Sequence, residues 1–389
     1  MGIFVVALAF FGVGLAVEFW HHTQASVVSD RPPAEIPPWG ELLEVDVTLE
    51  QPEEYLAYEL ANSAPTVWLF TASSLAQVRA ILLESGFTTT QAEAALAHVE
   101  VVEGGWRVFP SDDLLLALPP DVRGKLYDRL SENAANHYMA QPYRILGGDL
   151  DAKFRGSGVS EETIALVKKL LYPRGKNLCF SDVGLVLRQT PDEKTKIELL
   201  KALTRQPAVL TRMRIRPETD IDKLLGYWAS GKGARVKDVR PLLDALKRLQ
   251  NGGTISLMYF LPPFARERLY TTPLPSKPGE KNMDCHWSAL NFFNTTPDER
   301  FSEIAFTSRY IDENYYQIAK PSMLGDLVFL LDEAGGVIHS AVYVADDLVF
   351  TKNGINYAQP WILMHMKDLQ GLYSSLDEPR TLFYRRNNL

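Results

Sequence analysis

A cysteine, a histidine and a short polar series follow one another in the last third of the chain, in an order that suits thiol chemistry. Asp284-Cys285-His286-Trp287-Ser288-Ala289-Leu290 opens a helical pattern expected over 285–294. An aspartate just before a helix accepts the free N–H groups of the first turn. Cys285 then sits where the positive end of the helix favours a thiolate, the nucleophilic form. His339 enters a strand, Val337-Ile338-His339-Ser340-Ala341-Val342-Tyr343-Val344, between small neighbours that leave its ring accessible. A neutral imidazole can take a thiol proton and return it to a departing amine. Further on, alternation puts Val349, Thr351 and Asn353 on one strand face. A polar side chain there can orient the imidazole, the third role in a nucleophile–base–orienter relay. Taken singly, each residue has a plainer reading: a buried structural cysteine, and a strand-end histidine bonded to backbone.

The remaining candidates carry less. His286 adjoins Cys285, but neighbouring helix residues diverge by about 100° and do not face each other. His21, His22, His98, His137 and His365 show no metal-ligand spacing, so neither a metal nor a cofactor is expected. Cys179 reads as a buried residue beside Phe180, and a Cys179–Cys285 disulfide would remove the proposed nucleophile.

The elements that must position these residues are a helix and a meander. Strands are expected over 326–331, 337–344 and 348–352, the first two joined by a Gly335-Gly336 turn and the last two by Asp346-Asp347. A helix followed by antiparallel strands implies an α+β domain, 253–389, opening with a strand at Ile255–Phe260. A polar, Pro/Lys-rich loop, 271–283, precedes the cysteine helix. Upstream, 41–150 mixes short strands with helical spacing and reads as a small α/β region. Residues 151–252 read as mainly helical, with starts at Ser160 and at Pro191-Asp192-Glu193.

The order Asp284-Cys285, then Pro321-Ser322-Met323-Leu324-Gly325-Asp326-Leu327-Val328-Phe329, then His339-Ser340-Ala341-Val342-Tyr343-Val344 and an acidic turn resembles the NlpC family of papain-like cell-wall cysteine peptidases and amidases. The resemblance covers roughly residues 255–375. It implies a papain-like domain, with a cysteine helix packed on an antiparallel sheet that carries the histidine, and hydrolysis of peptide or amide bonds. Cys285 is then the nucleophile and His339 the base. The family's third polar residue lies twelve positions after the histidine, which is Thr351 here, with Asn353 on the same face as the chemically better orienter. Tyr270 is the nearest upstream match to a tyrosine that lines the family's oxyanion site. The chain departs from the family in having His286-Trp287 where Ser-Gly usually follows the cysteine.

Composition bounds the rest. The chain has 389 residues, 46% apolar and 23% charged, enough to bury a sizeable core and close to the globular average. With 40 Lys and Arg against 48 Asp and Glu, the net charge of −8 offers no basic footprint for nucleic acid. Residues 3–17 form an apolar run, and Thr23-Gln24-Ala25 offers the small residues of a cleavage site, so 1–25 reads as a signal peptide or membrane anchor. Residues 26–40, with four prolines, read as a linker. The expectation is an exported protein, periplasmic or extracellular, cleaved or anchored by residues 3–20 and touching membrane only there. It would hydrolyse amide bonds in a peptide or peptidoglycan-like substrate. The alternatives are a non-catalytic envelope binding module on the same fold, and a thiol-dependent lipid or acyl hydrolase or transferase.

Overall fold

The computed structural model describes residues 36–389 apart from 57–59, 61–63, 231–232, 274–282, 355–358, 375–377 and 388–389. The expected signal peptide or anchor, most of the linker and most of the loop before Cys285 lie outside the described residues. Pro37–Leu389 forms one compact unit, with an α+β architecture of small antiparallel sheets. Among the described residues no helix is long and apolar enough to cross a membrane.

A first core runs from Leu56 to Leu203. Its helices start where the sequence places caps. Ser160 accepts the Thr163 N–H ahead of Glu161–Leu170, and Asp192 accepts the Thr195 N–H ahead of Glu193–Thr204. Val122, Leu126 and Leu130 recur at helical spacing along Pro120–Ser131 and form its buried stripe. That helix also buries Arg123, whose Nε lies 3.5 Å from Asp182 Oδ2, while Tyr127 donates to Asp182 Oδ1 at 2.7 Å. The boundary expected at 150 falls inside this core. Tyr143–Ile145 pairs with Asn177–Phe180 across it, because each strand alone would leave its backbone groups unpaired.

A second sheet joins chain segments far apart in sequence. Strand β1 (Glu41–Leu49) pairs along its whole length with β2 (Gln206–Ile215), and β2 pairs with β3 (Gly253–Ser256). The 151–252 segment therefore contains a ten-residue strand, β2, as well as helices. Strand β3 is shorter than expected, because Leu257–Phe260 turns into a 3₁₀ helix capped by Ser256.

The C-terminal region builds a six-stranded antiparallel sheet from β4 (Tyr315–Ile318), β5 (Leu327–Leu331), β6 (Val337–Ala345), β7 (Leu348–Lys352), β8 (Trp361–His365) and β9 (Arg380–Arg386). Its order is β4-β9-β5-β6-β7-β8. Helix α1 (Cys285–Leu290) precedes it and α2 (Met366–Tyr373) follows β8. Strands β5 to β8 are apolar on both faces, since both are covered. Leu327, Phe329, Val342, Val344, Phe350 and Leu363 pack with Trp287, Ala289 and Leu290 of α1. The alternate residues Val328, Leu330, Ala341, Tyr343, Val349 and Ile362 pack with Leu369 of α2 and Ala208 of β2. Parity along each strand thus decides which helix a side chain meets.

Candidate functional site

Asp284 caps α1, its Oδ1 accepting the Trp287 N–H at 2.7 Å, and Cys285 follows as the first helical residue. The helix is fixed on the sheet by Phe292 against Phe350, with ring centroids 5.4 Å apart, and by the Trp361 indole donating to Ser288 Oγ at 2.9 Å. The sulfur lies against the sheet where β6 and β7 part. Their pairing runs from Ala345/Leu348 to Val342/Phe350. The backbone of Tyr343 bonds toward β5, through Asp326 and Gly325. Alternation therefore turns the Ser340 amide toward β7, beyond the last pair of the ladder. That amide is among the backbone groups that favour the charged form of the Cys285 sulfur.

The imidazole lies on the other face. His339 has the parity of Ala341 and Tyr343, and its ring stacks on Tyr373 of α2 at 4.2 Å and 24°. It is fully buried. Nε2 is 2.7 Å from Thr351 Oγ1, and Thr351 makes a longer 3.5 Å bond to Asn353 Oδ1. With the threonine proton directed to Asn353, Nε2–H donates to Thr351 and Nδ1 keeps its lone pair. Nδ1 has no hydrogen-bond partner, so no hydrogen bond joins Cys285 to His339 at rest. The third role expected at Thr351 or Asn353 is divided between them: Thr351 touches the ring, and Asn353 continues the chain to Gln206 Oε1 at 3.3 Å.

Two expectations are corrected. The helix start does not yield a resting thiolate. Burial, with the adjacent Asp284 carboxylate, raises the Cys285 thiol to about 11, outweighing the amides of Ser340, Cys285 and His286 that oppose it. Only 6% of the residue is exposed, and a six-residue helix has a small dipole. Burial likewise lowers His339 to about 3, helped by His286 and Lys352. Tyr270, expected near the oxyanion, spends its hydroxyl proton on the Val209 carbonyl of β2 at 2.6 Å. Its amide meets Trp361 O at 2.7 Å, so it tethers β8 to β2 and has no proton left for an oxyanion.

Three neighbours escaped the sequence reading. Ser340 supplies both the amide on the sulfur and a hydroxyl 2.6 Å from His286 Nδ1. His286 thus reaches the sheet rather than solvent. Lys352 is fully buried on the α1 face of β7, its Nζ donating to Gly354 O at 2.9 Å. Burial lowers it to about 8 against the charges of Cys285 and Asp284, which raise it. A lysine closing an otherwise apolar strand was the available signal. Tyr373 had none, because α2 was not foreseen. Both cysteines are free thiols.

A second titratable group gathers around His365, at the end of β8. Its Nδ1 is 2.8 Å from Asp347 Oδ1 and its Nε2 3.3 Å from Asp46 Oδ1. Glu44, Asp347 and His365 offer ligand atoms within 4.8 Å of one another, beside a cleft of about 290 Å³ bordered by Asp46, His365 and Asp368. Burial alone would lower the imidazole, but the bond and charge of Asp347, with Glu44 and Asp46, raise it above its ordinary 6.5. A raised histidine stabilises the fold fully below that ordinary value and loses the contribution as pH rises through the folded value. His365→Asn should therefore cost more stability near pH 5.5 than near pH 8.5 in urea unfolding. An equal cost at both would show that the charge contributes nothing.

Comparison with protein-family models, with curated proteins and with solved structures finds no match to this chain.

Proposed function

We propose that the C-terminal region is a papain-like, thiol-dependent hydrolase of amide bonds, acting outside the cytoplasm on peptide or peptidoglycan-like substrates. One observation carries the reading: a capped helix places Cys285 on the Ser340 face of β6, while His339, on the opposite face of the same strand, is held at Nε2 by Thr351 and bare at Nδ1. The proposed reaction requires the start of β6 to turn so that His339 Nδ1 meets the thiol; Nδ1 then takes the thiol proton as the sulfur bonds to the substrate carbonyl carbon. The backbone N–H of Cys285 donates to the oxyanion. The imidazolium protonates the departing amine and the thioester forms. Water, losing a proton to Nδ1, then breaks the carbon–sulfur bond and frees the acid and the thiol. The Lys352 ammonium, which feels the charge at Cys285, favours the thiolate as it develops.

The second reading is a binding module on the same fold, and the burial of both thiol and imidazole favours it. The two separate by limited alkylation of the native protein with iodoacetamide, mapped by mass spectrometry. The hydrolase reading expects Cys285 to be labelled well before Cys179, and more slowly in His339→Ala. Labelling of Cys285 only after denaturation would favour the binding module.

A further inference from the structure

The proposed base is closed off by an aromatic ring, and the turn that carries this ring is held from the other half of the chain. Tyr373, the last residue of α2, lies flat over the His339 ring. The turn that carries it is held from the first core. Asn177 Nδ2 donates to Gly371 O at 2.8 Å. Arg144 Nη1 donates to Leu372 O and, at 3.0 Å, to Ser374 O. Lys176 pairs with Glu378 just beyond. Arg144 and Asn177 stand on paired strands, Tyr143–Ile145 and Asn177–Phe180. Arg144 is mostly removed from water, and the acceptors that the turn offers it are carbonyls. Charge-assisted bonds to carbonyls are strong enough to fix a helix end.

A cleft of about 160 Å³ is bordered by Leu331, Asp332, Ile338, Tyr373 and Arg380. Ile338 is 37% exposed and immediately precedes His339. Tyr373 therefore borders the open cleft and also covers the imidazole.

We propose that Tyr373 is a gate over the base, latched by Arg144 and Asn177, so that the site is closed here and opens into this cleft when the last turn of α2 is released. The proposal rests on the thiol–imidazole reading and gives the first core a role in it. The latch holds backbone carbonyls, so it depends on the position of the turn and not on its sequence.

The test compares the rates at which diethyl pyrocarbonate modifies His339 in the full chain, mapped by mass spectrometry, for four variants. Tyr373→Ala removes the gate, Tyr373→Phe keeps the ring, Arg144→Met removes the latch donor, and Asn177→Asp keeps an oxygen for the Gly147 N–H, which Asn177 Oδ1 accepts at 3.2 Å, but loses the donor to Gly371 O. Tyr373→Ala and Arg144→Met should raise the rate at least tenfold, Asn177→Asp severalfold, and Tyr373→Phe should leave it near that of the unmodified protein. Circular dichroism checks that each variant is folded. Arg144→Met stands in for the gate variant if Tyr373→Ala does not fold. An unchanged His339 rate in folded Tyr373→Ala or Arg144→Met overturns the gate. If Cys285 in the unmodified protein still reacts with iodoacetamide ahead of Cys179 and slows in His339→Ala, the gate alone has failed. If Cys285 reacts in no native variant and only after denaturation, the thiol–imidazole reading falls with it.

Discussion

Cys285→Ser should abolish amide hydrolysis, lowering the release of amino groups from purified peptidoglycan at least about a thousandfold, because a serine hydroxyl is a poor substitute for a thiol beside a neutral imidazole. His339→Ala should cost about 10²–10⁴, the usual worth of a general base. Thr351→Val, which keeps the volume and removes only the oxygen on Nε2, should cost about tenfold and lose little stability. The pH profile carries more information than the rates. With the thiol at about 11 and the imidazole at about 3, both partners are neutral near pH 7. Alkylation of Cys285 in the closed protein should then rise about tenfold per pH unit from pH 7 to 10, as the thiolate fraction grows. A plateau from pH 6 upward would mean a resting thiolate–imidazolium pair and would contradict the effect of burial described above. Hydrolysis that survives Cys285→Ser would place the chemistry elsewhere.

Much of this site could be read from residue types, and the limits of that reading are physical. Asp284 as a cap needs only a short side chain and the free N–H groups of one turn, so the start of α1 was fixed locally. The β5–β6 and β6–β7 connections were equally local: two apolar runs around Gly335-Gly336, and an acidic turn in which Asp346 takes a φ of 55°. Thr351, twelve residues after His339, meets Nε2 because two adjacent antiparallel strands bring those positions together. What alternation could not give is the face. His339 and Ser340 point oppositely, and since β6 is apolar on both sides, nothing in its pattern says which side receives the cysteine helix. The helix took the Ser340 side, and the contact runs through the backbone amide, which no residue type announces.

Long-range partners were the other gap. Tyr270 looked available until β2, sixty-one residues earlier, supplied the Val209 carbonyl. Arg144 and Asn177 carry no motif, and their roles exist only because α2 ends against their strands. The joining of regions across residue 150 was hidden for the same reason. Composition shifts near 150 mark a change of local texture, while strand pairing across that point makes one core. The burial that makes Cys285 and His339 neutral is likewise a property of both layers together, and it reverses what the helix end alone would do to the thiol.

Asp326→Ala should destabilise the chain by about 2–4 kcal/mol, the largest single effect expected outside the site. In the resemblance Gly325-Asp326 reads as a motif of the catalytic domain; in the fold it is structural. The carboxylate is fully buried. Its Oδ2 accepts the N–H groups of Ser322 at 2.8 Å and Met323 at 3.0 Å. Arg385 of β9 grips it with Nε at 2.8 Å from Oδ1 and Nη2 at 2.7 Å from Oδ2. One side chain thus closes the turn into β5 and ties it to its neighbour strand. The turn is held tightly, because Gly325 has a φ of 98° and a Cβ there would lie 2.2 Å from the Phe293 ring. Alanine at 326 leaves two amides and a guanidinium without their acceptor. Arg385 keeps some access to water, at 17% side-chain exposure, so the cost should fall short of that for a pair buried on both sides. Arg385→Met should be similarly harmful, since it leaves the carboxylate buried with two amides alone. The double variant Asp326→Ala with Arg385→Met should cost clearly less than the two single changes added together, because the orphaned charge is gone. Urea unfolding of the four proteins measures this coupling. Additive costs would mean that the pair contributes no mutual stabilisation and that Asp326 acts through the turn amides alone.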